Sequence, residues 1–442
     1  MDLKRARWGV AASCFALLLI RSWGRLDSNQ VWAEDGYVFV PEAIAQGWRS
    51  LLNPALGYFF TLQRIIVILT LKLVPLLWAP VVFHIVTVAL FAGVASRLVR
   101  EEYAWLIPSW SMRAAGAILL CLAPGTNELV GNLANVNWIL FYWLALLGFQ
   151  SFQKPPKLTE LGRAVLCVFS IGTFVFLIPL FSLRAWYSRR REDWALLAIQ
   201  GVGIVGLLFA RTASVELVHT EALDQALAAF LKSAVDLLIF HPWLGDWEAV
   251  RWRSEPYSQL GSVCTFLMCL VWCGLGLARW RSIANQALIS FTGSLALWPI
   301  LAWLSRPNVF GAFDSPLSPW FLVHRYAFAV AAAGIIFWLT QVSAVKNQTA
   351  RRALYAYFIM IPILTMSHRF WIAPFGMEDR WRAAAMQIQS ALVKGSPCRV
   401  LAPIYPDPWT IDVTLPACRS QGPVNAENGG ALCQTRPFRT TL

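Results

Sequence analysis

The stretch Val31-Trp32-Ala33-Glu34-Asp35-Gly36-Tyr37 places two adjacent carboxylates in an aromatic, otherwise apolar setting. A carboxylate held beside a substrate hydroxyl can take its proton as a general base. A solvated loop start explains the pair equally well on local sequence alone. Basic and amide groups gather at the ends of other apolar runs. Arg306, Asp314 and the triplet His324-Arg325-Tyr326 lie close together late in the chain. Arg beside His suits an anionic phosphate, which accepts charge-assisted hydrogen bonds; the plain alternative is an Arg snorkelling to lipid headgroups. Arg64 and Arg369 are further cations of the same kind.

Asn127, Glu128, Asn132, Asn135, Asn137 and Trp138 form a polar-aromatic patch, suited either to capping a helix or to holding a sugar. His241, Trp243, Asp246 and Trp247 form another, readable as a simple interfacial turn. Together these groups match what a glycosyl transfer from a lipid phosphate needs. A base activates the acceptor hydroxyl, cations stabilise the departing phosphate, and aromatic and amide groups hold the sugar.

The elements that must position these residues are apolar helices. The 442-residue chain is 57% hydrophobic and 14% charged, against about 25% charged in soluble domains. Its 27 Phe and 23 Trp are the residues that anchor helices at membrane interfaces. The alternation of a membrane β-barrel is absent. Expected is an all-α polytopic membrane protein of about 11 (10–12) transmembrane helices, with spans near 8–23, 80–98, 112–125, 137–152, 163–172, 174–186, 194–210, 260–278, 284–304, 326–343 and 353–367. The two short spans around Gly172 and Pro179 suggest one helix broken within the membrane. The stretch 62–78, with Gln63, Arg64 and Lys72, reads as an amphipathic helix on the outer face; a full crossing there would give 12 spans.

This layout puts 18 basic and 6 acidic residues inside, a net +12, and 19 basic and 18 acidic outside, a net +1. That is the positive-inside asymmetry, and it accounts for the basic character without nucleic acid. The N-terminus lacks a small-residue cleavage site after its apolar run and reads as an uncleaved, cytoplasmically started first span. A transmembrane region, 1–367, then carries three outer loops, at 24–79, 211–259 (with a surface helix over 222–240) and 305–325. A polar C-terminal segment, 368–442, follows outside, with strands expected at 399–402 and 409–413. Cys14, Cys121, Cys167, Cys264, Cys269 and Cys273 fall in apolar runs and read as buried small hydrophobes. Two of Cys398, Cys418 and Cys433 could pair in an oxidising compartment.

The acidic pair soon after span one, with surface helices at 42–52 and 62–78 and a distal basic loop, resembles the GT-C superfamily of integral-membrane glycosyltransferases over residues 1–370. The resemblance implies a bacterial inner-membrane enzyme with a periplasmic site. It would use a polyprenyl-phosphate sugar donor and a glycan or lipid-linked acceptor in cell-envelope polysaccharide synthesis, with inversion at the anomeric carbon. Asp35 or Glu34 would be the catalytic base, with Asp35 preferred. His324, Arg325, Arg64 and Arg306 would bind the donor phosphate. Asn137, Trp138, Glu128, Tyr326 and His241 would bind sugar or acceptor. Some members hold Mg²⁺ or Mn²⁺ at the acidic motif; Glu128 or Asp314 could complete such a site here, although a metal-independent reaction is the expectation. No Trp-Trp-Asp motif is present, which argues against transfer to protein asparagine. The rivals are a flippase of lipid-linked sugars, an O-antigen-ligase-like or polymerase enzyme relying on the 305–325 loop, and a non-enzymatic membrane component.

Overall fold

The computed structural model describes residues 3–55, 57–212, 274, 282–296, 325–365, 371–372, 380–394, 399–405 and 409–414. The described chain is all-α apart from one small hairpin. Helix α1 (Leu3–Arg21) leads into the short α2 (Trp23–Ser28). A π-helical turn, Asp35–Phe39, then opens directly into α3 (Val40–Gln46), with Pro41 in its first turn, where a missing N–H costs nothing. After a 3₁₀ turn, Gly47–Leu52, comes α4 (Thr61–Leu73). It stops at Val74, before Pro75, so the stretch expected as one surface helix over 62–78 is a 13-residue helix followed by a second turn, Leu76–Trp78.

Helices α5 (Ala79–Ala95), α6 (Trp110–Leu122), the single turn α7 (Thr126–Leu129) and α8 (Val136–Gly148) follow. Helices α9 (Leu158–Val168), α10 (Ile178–Ser188) and α11 (Arg191–Thr212) complete the first half. The break expected around Gly172 is present, because α9 ends at Val168 and a 3₁₀ turn, Thr173–Leu177, precedes α10. Later helices run over Ile283–Ala296, Arg325–Ser343, Gln348–Thr365 and Arg380–Lys394.

The core centres on α8, buried along almost its whole length. It packs against α5, α9, α10 and the helix Arg325–Ser343. Gly148 lets α10 approach closely, since a Cβ there would lie 2.5 Å from the Leu180 side chain. Two helical stretches, Leu76–Val99 and Arg191–Ala210, are long and apolar enough to cross a membrane by length and composition. Helices α6 and α8 have 13 residues each. At 1.5 Å per residue that is about 20 Å, short of a hydrocarbon core of about 30 Å. The span expected at 112–125 begins two residues earlier and stops at Leu122, before the Asn-rich segment, and the span expected at 137–152 stops at Gly148.

The strands expected near the C-terminus form an antiparallel hairpin, β1 (Arg399–Pro403) and β2 (Thr410–Thr414), with Val400 opposite Val413. Alternate residues face inward, the pattern of a strand with one covered face. The hairpin packs on the π-turn and α3, and the helix Arg380–Lys394 packs on β1. Cys14, Cys121 and Cys167 are buried and unbonded, as expected of small core residues. Cys264, Cys269, Cys273, Cys398, Cys418 and Cys433 and the surface helix expected over 222–240 lie outside the described residues.

One ion pair fixes the junction of α10 and α11. Arg184 Nε lies 2.5 Å from Asp193 Oδ1, and both side chains are fully buried. The guanidinium also donates to the Gln150 carbonyl at 2.5 Å and to that of Leu147 at 3.4 Å. Removing one partner strands a buried charge, a loss of about 3–5 kcal/mol. Asp193→Asn is expected to lower the thermal midpoint of the detergent-solubilised protein sharply, and the paired change Arg184→Met with Asp193→Leu to recover much of it; unfolding followed by circular dichroism reads both.

Candidate active site

The acidic pair divides in two. Asp35, the first residue of the π-turn, is fully buried. Its Oδ2 accepts the Leu133 N–H at 2.7 Å and its Oδ1 accepts the Ala134 N–H at 2.8 Å. Both carboxylate oxygens thus hold the loop between α7 and α8. Glu34, one residue earlier, is only half-buried. Its Oε2 is shielded and has no hydrogen-bond partner among the described residues. A shielded carboxylate oxygen without a donor is the more reactive of the two arrangements. The sequence preference for Asp35 as base is revised accordingly: its lone pairs already face fixed amides, so Asp35 positions and Glu34 is the candidate base.

Burial pushes the Asp35 carboxyl up from its ordinary 3.8 to about 8; the neighbouring Glu34 charge raises it further, and the two amide donors oppose the rise. A folded-state value above the unfolded one means that the folded form binds the extra proton. The stabilisation from this group is fully present below about 3.8 and is lost as pH rises through about 8.

The loop that Asp35 holds is self-consistent. Asn132 Oδ1 accepts the Asn135 N–H at 2.8 Å, and the Asn132 and Asn135 amides donate to the Glu128 carbonyl at 2.7 and 2.9 Å. That is the capping reading of the Asn-rich patch. At its start, Gly131 adopts φ +88°. A Cβ there would lie 2.9 Å from His84 Nδ1 and 3.3 Å from Arg25 Cδ, so only glycine fits. The Gly131 N–H donates to Thr87 Oγ1 at 3.0 Å.

Three residues at this end of α1 and α5 carry polar contacts that sequence reasoning missed. Arg21 donates to the Cys121 carbonyl, to Thr126 Oγ1 at 3.1 Å and to Asn127 Oδ1 at 3.4 Å. Arg25 donates to the Val130 carbonyl. Burial draws its guanidinium down to about 9, with the charge of Glu128 and then the Tyr405 phenol opposing. His84 is buried in α5, with Nε2 2.9 Å from Ser22 Oγ. The single Ser22 proton goes to the Leu18 carbonyl at 2.7 Å, so His84 Nε2 must be the donor in that contact. The available signals were an Arg just past an apolar run and, for His84, a titratable residue well inside one.

The other expected residues divide clearly. Asn137 is nine-tenths buried; its Nδ2 donates to the Tyr58 hydroxyl at 3.2 Å, and its Oδ1 has no partner among the described residues. Trp138 is 4% exposed, with its ring against Phe141, so it cannot offer a sugar platform as expected. Arg64 is 1% exposed, pairs with Glu42 and donates to the Phe59 carbonyl at 2.9 Å. It braces α4 against α3 rather than lying open for a donor phosphate, because α4 turns its Arg64 face inward. Glu128 is half-buried and faces Arg25. Arg306, Asp314, His324 and His241 lie outside the described residues, and Arg325 and Tyr326 are described only as the first residues of the helix Arg325–Ser343.

The aromatic wall of the site comes from the C-terminal segment. Tyr405 packs on Trp32 with ring centroids 5.9 Å apart, and Trp409 meets Tyr37 edge-on at 5.5 Å. Ile404 sits so close to Gly36 that a Cβ there would lie 2.5 Å from its Cδ1. The Trp381 N–H donates to Gln30 Oε1 at 3.1 Å, and the Ile372 N–H to the Arg21 carbonyl at 2.7 Å.

Among the described residues no three His, Cys, Asp or Glu side chains gather in one place. Asp35 faces backbone amides and Glu128 faces Arg25. No protein-family model matches the chain, and no curated protein or solved structure matches it.

The two carboxylates are expected to respond differently to amidation. An Asn at 35 offers one acceptor and turns its NH₂ towards the second backbone N–H, an unmade buried bond worth about 1–3 kcal/mol. Asp35→Asn is expected to lower the unfolding midpoint and to flatten the fall of stability between pH 4 and 8, whereas Glu34→Gln leaves the midpoint close to wild type and, by removing only the smallest contribution to the raised Asp35 value, changes the pH dependence less; thermal melts across that pH range separate the two roles.

Proposed function

We propose that the chain is a polytopic inner-membrane glycosyltransferase. It moves a sugar from a polyprenyl-phosphate donor to an extracytoplasmic glycan or lipid acceptor in cell-envelope polysaccharide synthesis. In this reading the spans number about 11, the N-terminus is cytoplasmic, and the acidic turn faces the periplasm. Support for a membrane setting comes from the long apolar stretches Leu76–Val99 and Arg191–Ala210 and from the exposed apolar face of α11, with Val202, Val205, Leu208 and Phe209. The observation that carries the chemistry is Glu34: a shielded carboxylate oxygen with no donor among the described residues, beside a second carboxylate that fixes the loop.

The acceptor hydroxyl gives its proton to Glu34 Oε2 as its oxygen bonds to the anomeric carbon. The bond from that carbon to the phosphate oxygen breaks on the opposite face, and the phosphate leaves as an anion with inversion. Asp35 and the loop it clamps hold Glu34 in place. The positive charge of Arg25 lies against the same loop, and the resemblance assigns His324 and Arg325, whose side chains lie outside the described residues, to the phosphate. Asn137 Oδ1, Tyr58, Trp32 and Tyr405 supply polar and aromatic contacts for sugar and acceptor.

One observation favours a flippase of lipid-linked sugars instead: His84, an ionisable group buried in α5 with its Nδ1 unpartnered among the described residues. Purified protein in detergent, given a synthetic polyprenyl-phosphate sugar, should transfer the sugar, which a flippase cannot do. Glu34→Gln should cut that rate by about 10²–10⁴-fold with the fold intact. Full transfer by this variant would reject Glu34 as the base.

A further inference from the structure

At the other end of α1, guanidinium groups outnumber the carboxylates that face them. Arg97 Cζ and Arg163 Cζ lie 5.7 and 5.8 Å from the centre of the same Trp143 ring. Arg97 Nη2 reaches Glu160 Oε1 at 3.4 Å, and Arg100 Nη1 reaches the same oxygen at 3.9 Å. That oxygen also accepts from Gln150 Nε2 at 2.7 Å, while Glu160 Oε2 accepts the Lys157 N–H at 3.0 Å. Arg100 Nη2 pairs with Glu102 Oε1 at 2.6 Å. The charges of Arg100, Arg97 and Arg163 all bear on Arg7, whose guanidinium lies over the exposed Trp8 ring. The charge of Glu101 bears on Arg113. Four cations therefore face two carboxylates, and Glu160 Oε1 is shared three ways.

Like charges crowded at a partly buried site repel unless an anion joins them. The cluster also keeps unmade bonds. Arg97, with its side chain 9% exposed, has Nε without a partner, and Trp143 Nε1 is likewise a buried donor without an acceptor among the described residues. Glu102 Oε2 is a buried acceptor without a donor among the described residues. Two free donors, a surplus of positive charge and one free carboxylate oxygen suit a phosphate that carries a neighbouring hydroxyl. Arg7, Arg100 and Arg163 are half-exposed, so such a group can reach the cluster from the surface.

We propose that Arg97, Arg100, Arg163, Arg7 and Trp143 form a phosphate-binding site at the end of the helices opposite Glu34, taking the headgroup of an anionic glycerophospholipid or a free phosphate of the same chemistry. The lipid source rests on the membrane setting proposed above; the free-phosphate source does not.

The test measures thermal midpoints of the purified full chain in mixed micelles containing phosphatidylglycerol or phosphatidylcholine, and separately in inorganic phosphate or chloride at matched ionic strength. Phosphatidylglycerol is expected to raise the midpoint over phosphatidylcholine, with binding weakened at least about tenfold in Arg100→Gln and in Arg163→Gln, each the loss of one charge-assisted bond. Arg352→Gln, at an exposed position elsewhere, should bind like wild type. A gain from inorganic phosphate alone, lost in the same variants, supports the site and assigns it to free phosphate. Equal midpoints in both lipids and both salts overturn the proposal, a comparison that needs only the wild-type chain. Undiminished binding in both variants does so too. Sugar transfer is measured apart from all of these, so failure here and failure of the glycosyltransferase reading are distinguishable.

Discussion

The two hydrogen bonds from the Leu133 and Ala134 amides to Asp35 are the constraint on which the rest of the site depends. They join segments about a hundred residues apart, the π-turn after α2 and the loop before α8. A π-turn already presents its residues off the regular helical spacing. With Asp35 turned inward to the loop, Glu34 is left half-buried, with a shielded oxygen that has no donor among the described residues. The C-terminal hairpin depends on the same turn, since Ile404 seats on the surface that Gly36 leaves bare. One clamp thus sets the loop, the free carboxylate and the aromatic wall.

Buried cations organise the surroundings. Arg21 and Arg25 satisfy the carbonyls of Cys121 and Val130 where helices end and backbone acceptors would otherwise lack partners. Arg184 does the same for Gln150 while paired with Asp193. Arg21 and Arg184 each serve several acceptors from one planar guanidinium, whose fixed fork presents its donors in one plane. The exception is the cluster on Trp143, where cations exceed their partners and donors remain unmade.

Much of the fold was legible in the sequence because it follows local rules. The segments 399–402 and 409–413 marked the hairpin and Gly172 marked the break between α9 and α10, whereas the stretch read as one helix over 62–78 divides at Pro75. The acidic pair was legible as a candidate site; the division of its roles was not, because the partners of Asp35 come from Leu133 and Ala134, and backbone amides carry no signal in residue type. Arg64 misled for a related reason. Its place on an amphipathic helix suggested an exposed cation, but α4 packs on α3 and turns it to Glu42. Trp138 followed the same course, an aromatic residue at a helix start that packing drew into the core. Arg21, Arg25 and His84 gave almost no warning, since their contacts form only once α1 and α5 meet the loop after α6.

The stereochemistry of transfer tests the central claim most directly. Wild-type protein in detergent, supplied with a polyprenyl-phosphate sugar of defined anomeric configuration and a glycan acceptor, yields a product whose anomer nuclear magnetic resonance can assign. A single carboxylate acting as base on the acceptor predicts the opposite anomer to the donor. A product of retained configuration, or no transfer at all, would contradict the account.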